Sequence, residues 1–307
     1  MKIFIAPLNW GLGHAARCIP LIDRFLAEGH EVVLGGDGLS LLYLKQRYPY
    51  LRSIPLAPLD LRYSAGKRQV LAMLVAIPKI IQFSIRDYRL LQSIQQEEKF
   101  DQIISDNRFG LWCSARCIYI THQLHIHVPY PYRWLEPLAA RLHAWVYKHY
   151  TEVWIPDTPD HRLSGDLSTD IACLTSSKSQ HSSVTIKYIG VLSRFANVSL
   201  PSIPLRSYKV VALYSGLEPQ RTLLENDILA RFKGQEEDLL LVNGKQENPL
   251  SDSELAYYLI HAEKIIARSG YSTIMDLDTL GVLDKAELIP TPGQPEQEYL
   301  ARRICKS

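Results

Sequence analysis

The chain has 307 residues, 47% hydrophobic and 21% charged, with a formal net charge of +2. This is globular composition with apolar material for two cores; it excludes a disordered chain and argues against a general nucleic-acid binder, whose basic stripe would shift the balance further. Five scattered cysteines (Cys18, Cys113, Cys117, Cys173, Cys305) point away from a disulfide framework and toward a reducing compartment.

In chain order, residues 2–6 read as a short buried strand and 14–28 as a helix ending at Gly29. Strands follow at 31–35 and 51–55, with a helix over 39–47 between them. Residues 67–98 form a long helical stretch that Pro78 is expected to break. Residues 101–105 and 117–121 are two more strands with a helix expected between them; 134–149 is an amphipathic helix, and 152–156 and 184–189 are strands. The polar stretch 157–182 reads as loops, and 193–206, with two prolines, as a linker. A second alternation begins after it, with strands at 208–214, 238–242, 264–267 and 286–289 and helices at 219–232, 253–260, 271–280 and 295–305. Such alternation means βαβ units. The expected fold class is therefore α/β, with two Rossmann-like doubly wound lobes, 1–195 and 206–307, and a cleft facing the carboxyl ends of both sheets.

The chemistry-bearing motifs fall at those carboxyl ends. After the first strand comes Asn9-Trp10-Gly11-Leu12-Gly13-His14-Ala15-Ala16-Arg17. Gly11 and Gly13 allow close backbone approach to a ligand, and the following helix N-terminus suits phosphate. His14 opens that helix and Arg17 lies one turn on. The same run satisfies the dinucleotide fingerprint G-x-G-x-x-A, with Asp37 after the second strand, so a nicotinamide or flavin oxidoreductase competes here, as does a plain capped turn. Ser105-Asp106-Asn107-Arg108 ends another strand: Asp106 could orient His14 or act as base, and Asp106 or Asn107 could equally cap a helix. Thr121-His122-Gln123 places His122 as an acceptor-side or acid–base residue. His125 and His127 follow, but no carboxylate or cysteine close in sequence completes a metal set, and no metal is expected there or at Cys113-x3-Cys117.

In the second half, Ser215-Gly216-Leu217-Glu218-Pro219-Gln220-Arg221 offers free N–H groups and a guanidinium to a diphosphate, or is simply a capped helix start with a surface arginine. Ala267-Arg268-Ser269-Gly270-Tyr271-Ser272-Thr273-Ile274-Met275-Asp276 and Ile289 to Ala301 each read as strand, small-residue turn and helix. Backbone N–H groups would again face phosphate, the Asp276 carboxylate a ribose diol, and Glu296 and Gln297 sugar hydroxyls. Asp276-x-Asp278 looks like a metal-binding D-x-D, but positions i and i+2 of a helix point to different faces.

The run Ser269 to Asp276 (SGYSTIMD), followed by Pro290 to Ala301 (PTPGQPEQEYLA), resembles the carboxyl-lobe signature of family 28 glycosyltransferases, the MurG-like members of the GT-B superfamily. Trp10 to Arg17 (WGLGHAAR) resembles their glycine-rich loop, lacking one glycine before the histidine. The resemblance implies an inverting, metal-independent hexosyl transfer from a UDP-sugar co-substrate to a glycan or lipid-linked acceptor of the cell envelope, with no other cofactor. By that analogy Asp276 would take the ribose, Ser269, Gly270, Ser272 and Thr273 the diphosphate with help from Ser215, Gly216 and Arg221, and Glu296 with Gln297 the sugar. His14 would lie near the acceptor. Relative to that family the second lobe is expected to be incomplete at its carboxyl end, which keeps open an inactive sugar-nucleotide binder, beside a sugar-nucleotide epimerase on the same scaffold.

The opening apolar run is too short for a signal peptide, and there is no 18-residue uncharged apolar run, so a cytoplasmic protein is expected. Gly66 to Arg86, with Lys67, Arg68, Lys79 and Arg86, and residues 130–149, with Tyr130, Tyr132, Trp134, Trp145 and Tyr147, mix basic, aromatic and apolar residues. They read either as core helices or as a patch making peripheral contact with the inner face of a membrane.

Overall fold

The computed structural model describes residues 1–59, 69–169, 184–214, 216, 218–242 and 250–305, the side chains of 69–76 excepted. The first sheet has seven parallel strands, β1 (Lys2–Pro7), β2 (Glu31–Gly36), β3 (Ser53–Pro55), β4 (Gln102–Asp106), β5 (Arg116–Ile120), β6 (Glu152–Ile155) and β7 (Thr185–Tyr188), in the order β3-β2-β1-β4-β5-β6-β7. The second has four, β8 (Val210–Leu213), β9 (Leu239–Val242), β10 (Lys264–Arg268) and β11 (Ala286–Ile289), in the order β11-β10-β8-β9, also parallel. Both sheets reverse direction about their first strand. The crevices this opens, between β1 and β4 and between β8 and β10, are where α/β sheets bind ligands.

Parallel strands are covered on both faces, so they read as continuous apolar runs. In β1 the alternation divides two cores: Ile3 and Ile5 point to one, Phe4 and Ala6 to the other. The first core is shared between the lobes. It holds α1 (Leu12–Ala27) with α2 (Gly38–Arg47) on one side, and α6 (Asp252–His261) with α7 (Tyr271–Thr279) on the other. Helix α1 buries Ala15, Ala16, Arg17, Cys18, Ile19, Leu21, Ile22 and Phe25 and leaves Arg24 and Ala27 at the surface, as expected of a helix packed between two layers with one polar stripe left open. The helices α3 (Gln69–Glu98) and α4 (Glu136–Tyr147) cover the far face of the first sheet; α5 (Gln220–Arg231) packs on the second, and α8 (Pro295–Ile304) follows β11.

Two local expectations fail. Pro78 does not end its helix: α3 runs through it. No helix links β4 to β5; residues 107–115 form turns instead. The cause is Arg108, whose fully buried guanidinium donates to both carboxylate oxygens of Asp87 (2.9 and 2.9 Å), to Asp37 (2.6 Å) and to the Ala57 carbonyl (2.9 Å). Satisfying a buried charge in this way pulls the connection under α3. Gly110 completes the fit, since a Cβ there would stand 2.0 Å from the Ser84 carbonyl oxygen.

His143 of α4 is buried with Nε2 3.1 Å from the Tyr119 hydroxyl, and burial depresses its pKa to about 4. Its unfolded value is near 6.5, so between those limits the unfolded chain takes up a proton that the folded chain refuses, and stability falls as pH falls through that window. Denaturant titrations between pH 7 and pH 4 should show a loss of about 3 kcal/mol from this residue. His143→Gln, which keeps a polar group against Tyr119, should flatten the slope.

Candidate functional site

At the first crevice Pro7 of β1 lies level with Asp106 of β4. Helix α1 begins immediately beyond, entered through Gly11 at φ 86° without a side-chain cap. The 3.6-residue period places His14 and Arg17 one above the other, both over Asp106. His14 Nδ1 lies 2.9 Å from Asp106 Oδ1; Arg17 Nε donates to Asp106 Oδ2 at 2.6 Å, and Arg17 Nη2 donates to Oδ1. Burial acts to raise the Asp106 pKa, but the charges of Arg17 and His14 and their hydrogen bonds outweigh it and hold the carboxyl well below the usual carboxylate range. Asp106 is therefore a fixed anion. His14 Nδ1 also lies 3.0 Å from Arg17 Nη2, so it faces both the anion and a cation. In the tautomer whose Nδ1–H donates to Asp106, Nε2 is left to accept a proton, which is the arrangement of a general base.

The network continues across the lobes. Arg17 Nη1 is 3.2 Å from His122 Nδ1, and His122 Nε2 is 2.6 Å from Glu296 Oε1 at the start of α8. His122 stacks on Tyr271 of α7 (4.2 Å between centroids, 6° apart), and the Tyr271 hydroxyl donates to the Pro156 carbonyl at 2.9 Å. Burial lowers the His122 pKa, with Arg17 and His14 adding to the effect and Glu296 opposing it.

Opposite α1, helix α7 also starts without a side-chain cap, at Gly270, leaving its first N–H groups free of a side-chain acceptor. The approach is close: a Cβ on Gly13 would sit 2.8 Å from Ser272 Oγ. By contrast α6 carries a complete capping box from Ser251 and Glu254. At the second crevice Arg268, the last residue of β10, is 6% exposed and donates to the carbonyls of Pro290 (3.1 Å) and Gln220 (2.7 Å). Among the described residues no carboxylate pairs with it. Burial lowers its pKa, and the more distant Asp227 carboxylate opposes that only in part. Motif reading passed over this buried guanidinium; its position at a strand's carboxyl end was the available signal.

The structure thus brings His14, Arg17, Asp106, His122 and Glu296 into one network, with Gly11, Gly13, Gly270, Ser272 and Thr273 around it. Arg17, expected to touch substrate, is 2% exposed and wholly engaged, so it positions Asp106 instead. Asn107 stands at φ 58°, and its Oδ1 accepts from the Tyr119 hydroxyl (2.9 Å). Asp276, expected on a ribose, is at the lobe junction: Ser193 Oγ donates to it (2.6 Å) and Arg194 lies 3.2 Å away. Asp278 goes to Arg162 at 2.6 Å through two bonds, so the two aspartates face different partners. Gln297 turns onto its own loop, accepting from Thr291 N (2.8 Å) and donating to Gln294 (2.6 Å), while its carbonyl accepts from Ser269 Oγ (2.8 Å). Arg221 pairs with Glu218, Gly216 stands at φ 116°, and Ser215 lies outside the described residues. Asp37 is spent on Arg108 and Asn9 (3.0 Å), so the carboxylate that the dinucleotide reading needs for ribose is unavailable to a ligand.

No protein-family model matches the chain. Two curated relatives are each named as an uncharacterized glycosyltransferase: one of Methanosarcina acetivorans, 25% identical over 97% of this chain and 82% of its own length, and one of Methanosarcina mazei, 23% identical over 99% and 83%. Among solved structures, a kitacinnamycin glycosyltransferase superposes with TM-score 0.57 at 13% identity, covering 99% of this chain and 94% of its own. The chain has the GT-B fold. A spinosyn rhamnosyltransferase complexed with thymidine diphosphate (TM-score 0.51, 14% identity, 100% and 91% covered) shares it, and so does a UDP-N-acetylglucosamine 2-epimerase of Listeria monocytogenes (0.54, 11%, 100% and 88%).

The buried Arg17–Asp106 pair and the partly buried His14 should differ in what their loss costs the fold. Asp106→Asn strands a buried guanidinium and should cost about 3 kcal/mol in chemical denaturation. His14→Ala, whose side chain is partly exposed, should stay within about 1 kcal/mol of the parent.

Proposed function

We propose that this protein is a glycosyltransferase that moves a sugar from a nucleoside-diphosphate donor to a hydroxyl acceptor. The observation that carries the reading is the His14–Asp106 dyad at the first crevice, set against the uncapped start of α7 and, at the second, the buried Arg268, which pairs with no carboxylate among the described residues. The relatives' names support the reaction class. UDP as the nucleotide, inversion and a place near family 28 rest on the motif resemblance. His14 Nε2 takes the acceptor hydroxyl proton as that oxygen attacks the anomeric carbon. The bond from that carbon to the diphosphate oxygen breaks, and the departing charge is met by Arg268 and the N–H groups of α7. Asp106 stabilises the imidazolium, and Arg17 keeps Asp106 ionised. One displacement inverts the anomeric centre.

Titration with UDP, thymidine diphosphate and NAD, followed by assay of UDP release from UDP-sugars with and without an acceptor extract, tests this reading. Nucleoside-diphosphate binding and acceptor-dependent release are expected. NAD binding without either diphosphate would overturn it; sugar isomerisation without acceptor would favour the epimerase, and binding without turnover the inactive binder. His14→Ala should lower kcat by roughly 100- to 10,000-fold with diphosphate affinity unchanged. Arg268→Ala should weaken diphosphate binding by roughly 10- to 100-fold.

The acceptor is proposed to be a glycan or lipid-linked, reached at the inner face of a membrane by peripheral contact. Among the described residues no helix is long and apolar enough to cross a bilayer. Support for contact comes from Trp134 in the turn before α4, from Leu138, Leu142 and Trp145 exposed along α4 with Arg141 and Lys148 near them in sequence, and from Ile77, Ile81 and Ile85 along α3. Tyr147, expected in this patch, is buried, and Gly66 to Arg68 lie outside the described residues. Vesicles containing anionic phosphatidylglycerol should bind the protein, and Trp134→Ser with Trp145→Ser should reduce that binding at least about 10-fold. Equal binding by parent and variant would refute the contact.

A further inference from the structure

His125 and His127 leave β5 on the same loop as His122, yet they go elsewhere. His122 turns to Glu296, while His125 and His127 face Glu136 at the start of α4. In the sequence the histidines lack a nearby carboxylate; the fold supplies one eleven residues after His125. His125 Nε2 is 3.1 Å from Glu136 Oε2 and His127 Nδ1 is 3.7 Å from Glu136 Oε1. One ligand atom from each of the three lies within 4.8 Å of the other two. A tetrahedral zinc site with bonds near 2.05 Å has ligand–ligand edges of about 3.3 Å. The two separations, which run to different oxygens of the one carboxylate, bracket that edge, and an inward movement of the rings would close a coordination sphere.

The three side chains are 10 to 11% exposed, so the cluster is largely screened from solvent without being sealed. It is also braced. The Leu124 and His125 N–H groups both donate to the Leu167 carbonyl (2.8 and 2.9 Å), and Val128 N–H donates to Glu136 Oε1 (3.1 Å). The His127 ring stacks on Tyr299 of α8 at 4.8 Å, and its Nε2 is buried with no hydrogen-bond partner. One cation opposes the site: Arg133 Nε is 3.3 Å from Glu136 Oε1, on a side chain that is mostly exposed and free to swing away.

We propose that His125, His127 and Glu136 bind one divalent transition-metal ion of the zinc class, with water completing the sphere. Two imidazoles and one carboxylate form a borderline donor set suited to Zn²⁺ and unsuited to Mg²⁺ or Ca²⁺, which take oxygen ligands. The ion would clamp the β5–α4 loop onto α4 and, through the His127–Tyr299 stack, onto the second lobe. It takes no part in the transfer step, and the site stands whether or not the transferase reading does.

The experiment is calorimetric titration of chelator-stripped full-length protein with Zn²⁺, with metal content measured after gel filtration. One equivalent should bind at micromolar affinity or tighter, and saturation should raise Tm by about 5 °C. His127→Ala and Glu136→Gln should each weaken binding by roughly 100-fold or more, while Cys113→Ser leaves it unchanged. Metal-free Tm and far-UV circular dichroism matching the metal-free parent would establish that the variants fold. Failure to bind below millimolar Zn²⁺, binding unaffected by both substitutions, or loss of binding in Cys113→Ser would each overturn the proposal.

Discussion

The structure turns on one buried ion pair. Arg17 and Asp106 are both withdrawn from water, and neither charge is tolerable there alone. Their union ties α1 to the carboxyl end of β4 and so fixes the crevice at which the first sheet reverses. The same contact decides three other things. It keeps Asp106 ionised despite burial, it sets the His14 ring over a fixed anion, and it leaves a guanidinium nitrogen for His122, through which the network reaches Glu296 in the other lobe. A pair of this kind adds little net stability, since desolvation offsets most of the attraction. What it supplies is a defined geometry at the mouth of the cleft.

Helix α1 makes that geometry a property of both lobes. It is buried on nearly every side and shares one continuous core with α6 and α7. The lobes are further joined by Tyr271 on Pro156, Arg162 on Asp278, and Ser193 with Arg194 on Asp276. These contacts bring two uncapped helix starts, of α1 and α7, to within a methyl group's width of each other at Gly13. Polar groups from both sheets then converge on a small volume. Each side carries charge of both signs: Arg17 and Asp106 beside His14 on one, Glu296 and Arg268 on the other.

Much of this was legible in the chain. The strands and helices followed the apolar periodicity closely, because parallel strands covered on both faces leave uninterrupted apolar runs. His14, Arg17 and Asp106 could be picked out because glycine turns and polar clusters at strand ends have few structural uses. What periodicity could not convey was the destination of long polar side chains. Arg108 looked like one of four polar residues at a strand end, yet its burial against Asp37 and Asp87 removed an expected helix and took away the acid that the dinucleotide reading required. Asp276 and Gln297 looked like ligands for a sugar nucleotide and serve the lobe junction and the α8 turn. Arg268 went unremarked because only the position of β10 beside β8 shows that it faces the crevice.

By itself the sequence determined the two successive α/β alternations, the glycine-rich entry to α1 and the polar clusters at the strand ends, since these depend on local periodicity and backbone freedom. Tertiary structure decided which charges meet. His14 with Asp106, His122 with Glu296, and His125 and His127 with Glu136 join residues 92, 174, 11 and 9 apart in the chain. No local pattern encodes such pairings. They follow from the order of strands in the sheets and from the cost of leaving a buried charge without a polar partner.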